Sequence, residues 1–442
     1  MRKKIILFLL AISAAAGFGN ESEKVHIIKE IIINVDGHTS VNAIRAFMKI
    51  NENEEFLSSM DLYNVVDRER QNLINYRVFR EVKMNLEIIG ETDNSTEWRI
   101  TYSVKDGWTI VPIPYPKYDS NTGFRLGLKT FYDNAFGTMT DLYLGLGMNI
   151  GPNKTTGEWE VTEWSINPAW NRIRLGPLLV SVGYIQAYET KQFDSDDSSE
   201  EFHYGYYRSN VSIGSSIPFF RTSLSYGFSM SFNMQYNYKN YLETTNFHEE
   251  PFSFGWNHSV SYGNVDWKEN FRHGQSISLG HGISPVLNPM NNQYYVTNSL
   301  SLTGSFYRIF WKIFNYYASA STFFTFNGQG EGDGSGLRGI ADNSMSGDWG
   351  FTINNSLAIQ FWRLKGVWDA QIHPFIDIGL SAPYEGVDIN RDLRVGAGLD
   401  FVLYLDAIPN VVFRGMIGVD LGRYAWDDIQ KYEITITSTL HY

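Results

Sequence analysis

Hydrophobic and polar residues alternate along most of this chain. From Trp349 to Phe361 the odd positions read Trp, Phe, Ile, Asn, Leu, Ile, Phe, and the even positions between them Gly, Thr, Asn, Ser, Ala, Gln. From Gln371 to Leu380 one set is Gln371, His373, Phe375, Asp377, Gly379 and the other Ile372, Pro374, Ile376, Ile378, Leu380. A period of two sends successive side chains to opposite faces of a strand. The pattern returns at 393–401, 411–421 and 432–442. Strand-length segments of about ten residues, apolar on one face and polar on the other, predict a transmembrane β-barrel.

Fifteen alternating runs follow residue 107, near 123–133, 138–150, 157–169, 178–188, 202–217, 221–236, 252–264, 273–285, 293–309, 313–326, 349–362, 367–380, 392–406, 410–421 and 430–442. Connections such as Arg363–Gly366 and Ala407–Asn410 are tight, and those such as Glu189–Glu201 and Asn327–Asp348 are long and polar. Tight turns belong on the periplasmic side and long loops outside. Working back through that alternation requires one more outward strand before residue 123. Trp108–Tyr118 fills the place, making sixteen strands over 107–442. Its Pro112, Pro114 and Pro116 are awkward in a strand interior, share one face, and suit a closing seam opposite Lys431–Tyr442. On 138–150, Leu142, Leu144, Leu146, Met148 and Ile150 are expected to face lipid. The opposite assignment elsewhere would drive Asp377 and Asp400 into hydrocarbon, at a few kcal/mol each.

Residues 25–106 have another rhythm: a strand at 28–35, a helix from Ser40 to Phe47, a second helix within 55–75, then strands around 82–88 and 100–104. The expected order is β-α-α-β-β, a small α+β domain with one core. Ahead of it, Arg2, Lys3 and Lys4 precede an apolar run, Ile5–Phe18, and small residues, so 1–19 reads as a cleaved signal peptide.

Composition sharpens this only in places. The chain has no cysteine and a net charge of −12, about −15 once Arg2, Lys3 and Lys4 leave with the leader, which argues against nucleic acid as a partner. Aromatic residues make up 15%, suited to the girdles at a membrane interface. No G-x-S-x-G, H-E-x-x-H or P-loop pattern occurs, and nothing in the sequence calls for a cofactor or a metal. His281 and Ser284 lie close in sequence, but no acid can be assigned to orient them, and no catalytic residue is expected. Arg394, Asp400, Arg414 and Asp420 alternate inward and are expected to form ion pairs.

The 25–106 pattern resembles a POTRA domain of BamA/TamA-type outer-membrane proteins, through Ile31 and Ile33 before Gly37 and through Tyr76-Arg77-Val78-Phe79, where the family's usual glycine is missing. Leu337-Arg338-Gly339-Ile340 resembles that family's V-R-G-F/Y loop motif, Gly347-Asp348 its Gly-Asp, and Phe375–Gly379 its F-x-D-x-G. The resemblance implies insertion or translocation of proteins at the bacterial outer membrane through a seam between the first and last strands, marked by Trp108, Tyr118, Lys431 and Tyr442. Implied partners are outer-membrane lipid, client outer-membrane or secreted proteins, and periplasmic accessory proteins. The alternatives are a two-partner-secretion translocator, a passive pore and a barrel hydrolase. An arginine entering a partly desolvated lumen needs an anionic partner. Arg338 is therefore expected to pair with Asp377, with Asp348 nearby and Gly339 allowing a tight turn, which would lock the loop inside.

Overall fold

A computed structural model describes residues 24–119, 123–152, 159–176, 178–194, 201–219, 223–239, 251–288, 293–326, 336–340, 345, 347–409, 411–421 and 432–440. The expected signal peptide (1–19) and two seam positions, Lys431 and Tyr442, lie outside them. No helix among the described residues is long and apolar enough to cross a membrane.

The N-terminal module runs β1 (Val25–Asp36), α1 (Val41–Phe47), β2 (Glu55–Phe56), α2 (Ser59–Asn75), β3 (Phe79–Glu91) and β4 (Ser95–Asp106). Its sheet order is β2-β1-β4-β3, with β1 parallel to β4 and the other pairs antiparallel. The two-residue β2 is an element the periodicity did not reveal. Helix α2 starts where Ser58 accepts the Asp61 amide at 3.1 Å, a side-chain cap on an otherwise orphaned donor. Its apolar stripe, Leu62, Val66 and Leu73, is buried with Ile28, Ile44, Ile100 and Tyr102. The Tyr102 hydroxyl donates to the Val66 carbonyl at 2.9 Å, so its one polar atom is satisfied in the core.

Sixteen strands follow: β5 (Ile110–Asp119), β6 (Gly123–Ala135), β7 (Thr140–Pro152), β8 (Trp159–Leu175), β9 (Leu178–Asp194), β10 (Glu201–Pro218), β11 (Leu224–Lys239), β12 (Phe252–Lys268), β13 (Phe271–Asn288), β14 (Gln293–Phe310), β15 (Phe314–Phe326), β16 (Trp349–Leu364), β17 (Trp368–Ala382), β18 (Leu393–Leu405), β19 (Val411–Asp420) and β20 (Tyr432–Leu440). A short α3 (Ile389–Asp392) interrupts the connection from β17 to β18. Each strand pairs antiparallel with the next, in one sheet ordered from β5 to β20. The two end strands approach each other, although no ladder joins them among the described residues.

Parity separates the two faces of this sheet. Leu144, Met148, Val182, Val211, Ile213, Phe232, Val260, Leu279, Leu302, Phe361, Phe401 and Ile436 are exposed on one face. Asp369, Gln371, Asp377 and Asp400 are buried on the other. In β5 the exposed face carries Pro112 and Pro114. Proline has no N–H, so a ladder between β5 and β6 over 110–119 can form only if the prolines turn that deficit away from β6. The edge that β5 offers to β20 therefore lacks three donors.

The module docks on the turn end of the large sheet. Arg68 grips Asp266 through two hydrogen bonds, 2.8 and 3.0 Å. Asn75 donates to Asp266 at 2.9 Å and accepts the Trp267 amide at 2.9 Å. Ile74 packs against buried Trp267, Val402, Tyr404 and Val412. The backbone of Ser40 donates to Gly137 in the β6–β7 turn at 2.9 Å. Arg77 is the deepest contact: it donates to the Glu269 carbonyl at 2.9 Å and to the Pro409 carbonyl, and lies 4.3 Å from the centre of the Trp267 ring. Burial, first of all, pushes this guanidinium down to about 10, which leaves it charged at neutral pH.

Candidate functional site

The polar face of β16–β20 carries a short segment, Gly336–Ile340, seated against it. Leu337 and Ile340 are buried on either side of Arg338 and Gly339, and this apolar pair anchors the segment. Between them Arg338 points into the sheet. Its Nε lies 2.8 Å from Asp377 Oδ2 and its Nη2 2.6 Å from Asp377 Oδ1, a two-pronged pair. The Arg338 amide donates to the same carboxylate at 3.0 Å. Nη1 then reaches Asp400 Oδ2 at 3.1 Å and Ser356 Oγ at 2.8 Å, and Nη2 reaches the Asn355 carbonyl at 3.3 Å. The guanidinium also stands 4.1 Å over the Phe375 ring.

Both carboxylates are fully buried. A buried carboxylate is costly unless matched by charge and hydrogen bonds. Asp377 receives additional donors from Asn354 Nδ2 (2.9 Å) and the Asn355 amide (3.3 Å). Strand register assembles the group: Asn354 sits opposite Asp377 across β16–β17, and Asp400 sits opposite His373 across β17–β18.

Gly339 makes the close seating feasible. Its φ is +80°, which L side chains rarely adopt, and a Cβ there would lie 2.8 Å from the Val419 amide nitrogen. Across from it, a Cβ on Gly418 would come within 2.6 Å of the Gly339 Cα. The Gly339 amide donates to Glu433 on β20 at 2.6 Å, so the segment touches the last strand as well. Gly339→Ala is expected to weaken the seating by about 1–3 kcal/mol through backbone strain and this collision. Proteolysis rates of the 327–348 region in the variant and the parent measure it, and equal rates would contradict it.

The structure brings Arg338, Gly339 and Asp377 together, and it adds Asp400, Ser356 and Glu433. Asp348 is not part of the group. Its amide donates to the Ala382 carbonyl (3.0 Å), its carbonyl accepts Thr325 (2.7 Å), and its carboxylate accepts the Tyr384 amide (3.2 Å). It precedes β16 and pins the loop-side end of β15, β16 and β17, which is why it cannot also reach inward. Asp400 was legible as an inward residue but was matched to strand arginines. The expected pair with Arg414 is present at 3.8 Å, but the alternation gave no sign that a loop arginine would come closer, at 3.1 Å. Glu433 carried no motif at all.

Of the seam positions, Trp108 precedes β5 with its side chain exposed and its amide donating to the Ala407 carbonyl at 3.1 Å, and Tyr118 lies in the β5 ladder. His281 and Ser284 do not form a pair. Three residues apart in one strand, they project from opposite faces. His281 instead stacks on His258 across β12–β13, with ring centres 6.4 Å apart. No cluster of three or more metal-binding side chains occurs among the described residues.

No protein-family model matches the sequence, and no curated protein matches it. Solved structures do. CdiB from Acinetobacter baumannii matches with a TM-score of 0.61 and 12% identity, over 95% of this chain and 74% of that one. CdiB from Escherichia coli matches with a TM-score of 0.52 and 11% identity, over 96% and 92%. BamA from Haemophilus ducreyi lacking POTRA domains 1–3 matches with a TM-score of 0.47 and 16% identity, over 93% and 84%. The two CdiB likenesses establish a fold shared along nearly the whole of this chain.

Proposed function

We propose that this protein is a bacterial outer-membrane β-barrel that inserts or translocates other proteins. In this reading the sixteen strands close into a cylinder with its apolar face in lipid. Residues 25–106 form a periplasmic POTRA-like module, and the Arg338 segment latches inside. The exposed apolar belt supports the membrane reading, since that much apolar surface needs a cover other than water. The observation that carries the function is the seam. Strands β5 and β20 lie side by side with no described ladder, and β5 presents an edge stripped of three donors. Such an edge is easily opened, and its remaining backbone groups can pair with an incoming strand. Clients are therefore other outer-membrane or secreted proteins, and the chemistry involves no bond making in the client.

A second reading, passage of a client across the membrane rather than insertion into it, uses the same seam, and the fold shared with CdiB is compatible with both. Depletion followed by a census of outer-membrane and secreted proteins distinguishes the two. Loss of barrels from the membrane indicates insertion, and loss of one secreted protein indicates translocation. Because the chain contains no cysteine, engineered pairs across β5 and β20 would be its only disulfides. Oxidising them is expected to reduce client handling at least tenfold while ion conductance persists. Full client handling in the oxidised form would refute the seam mechanism.

A further inference from the structure

Between the Arg338 segment and the β12–β13 turn, the polar face borders a partly open cavity of about 340 Å³. Three arginines line it, Arg272, Arg338 and Arg414, and among the described residues no aspartate or glutamate does. Buried behind the wall are Asp377 and Asp400, held by Arg338, and Asp369, which accepts from the lining residues Asn270 at 3.1 Å and Gln371 at 3.2 Å. Arg272 is braced in place. It donates to the Tyr307 hydroxyl at 3.1 Å, and its guanidinium lies 4.6 Å from the Trp267 ring. Arg414 is held far less. Its Nε stands 3.8 Å from Asp400 Oδ2, an ion pair too long for a hydrogen bond, and it makes no hydrogen bond among the described residues, while 34% of the side chain is exposed. A guanidinium that faces a cavity with its ion pair at long range keeps N–H donors that a bound anion or a water can take up.

We propose that this cavity binds a compact, multiply charged oxyanion of the phosphate or carboxylate class, gripped by Arg414 and Arg272. The volume lies at the small end of ligand sites, which suits a solute rather than a chain segment. Guanidinium groups match such anions through paired N–H donors. The proposal uses only the geometry of the polar face, and it stands or falls separately from the seam.

The test is calorimetric titration of the full chain in detergent micelles, at constant ionic strength, with inorganic pyrophosphate in one arm and citrate in the other. Saturable binding of at least one is expected, weakened tenfold or more by Arg414→Gln and partly restored by Arg414→Lys. Preference for one arm assigns phosphate or carboxylate chemistry. Arg414→Gln leaves Asp400 its closer pair with Arg338, so the variant is expected to stay folded, which its unfolding temperature checks. Arg272→Gln provides a second variant expected to weaken binding. No binding of either anion to the parent would overturn the proposal and leave a water at Arg414. Equal affinity in the parent and Arg414→Gln would overturn it as well.

Discussion

Arg338→Ala is expected to release the Gly336–Ile340 segment and to lower stability by about 3–5 kcal/mol, the usual cost of breaking a buried ion pair from one side. The cost arises because Asp377 and Asp400, both fully buried, would lose the cation that bridges them. Their remaining donors, such as Asn354 and the Asn355 amide, cannot neutralise two charges in so dry a setting. Limited proteolysis provides the readout, with new cuts expected in 327–348. Arg338→Lys is expected to recover little, since one ammonium cannot reach both carboxylates and stack on Phe375 in the same pose. Asp377→Asn in the Arg338→Ala background should return part of the lost stability by removing an uncompensated charge. That non-additivity separates a true pair from two unrelated weak points. An unchanged cleavage pattern in Arg338→Ala would end the latch idea.

The second large effect is expected at Arg77, where the N-terminal module meets the turns. Its φ is +60°, a left-handed backbone that costs a non-glycine residue about 1–2 kcal/mol. Here the arginine tolerates the strain because its side chain reaches the Glu269 and Pro409 carbonyls and covers Trp267. Hydrogen bonds to a charged group each contribute about 1.5–3 kcal/mol. Arg77→Gly relieves the strain but abandons the dock, so a net loss of about 2–4 kcal/mol is expected. Faster proteolysis at 107–109 and a larger conductance in planar bilayers would accompany it, as the module swings off the turn end. A variant as stable and as closed as the parent would mean that Arg68 and Asn75 hold the dock without Arg77.

The alternation of side chains marked fifteen strands, and the lengths of the loops between them called for a sixteenth. Sixteen strands were expected from parity and loop length, and sixteen pair in order, with ends a few residues from their expected positions. Even the awkward segment expected at Trp108–Tyr118 is a strand, over Ile110–Asp119, because its three prolines can turn their missing N–H groups away from β6. The Arg338–Asp377 contact was reachable too, since an arginine flanked by apolar residues must find an inward carboxylate. Asp348 shows where this reasoning stops. Its position in sequence placed it near the site, but the hydrogen bonds of three strand ends claimed it. Asp400 shows the converse, an inward acid whose partner came from a distant loop.

A period of two is a local property, so the sequence by itself determined which segments are strands, which face of each is apolar and how many there are. Cross-strand register is not local. Only the tertiary structure decided that Asp400 joins Asp377 around one guanidinium, that Glu433 receives the Gly339 amide, and that Arg414 lines a cavity with only a long ion pair to Asp400. Each of those depends on how far one strand slides against its neighbour, and a shift of two residues would preserve every face while dispersing the site.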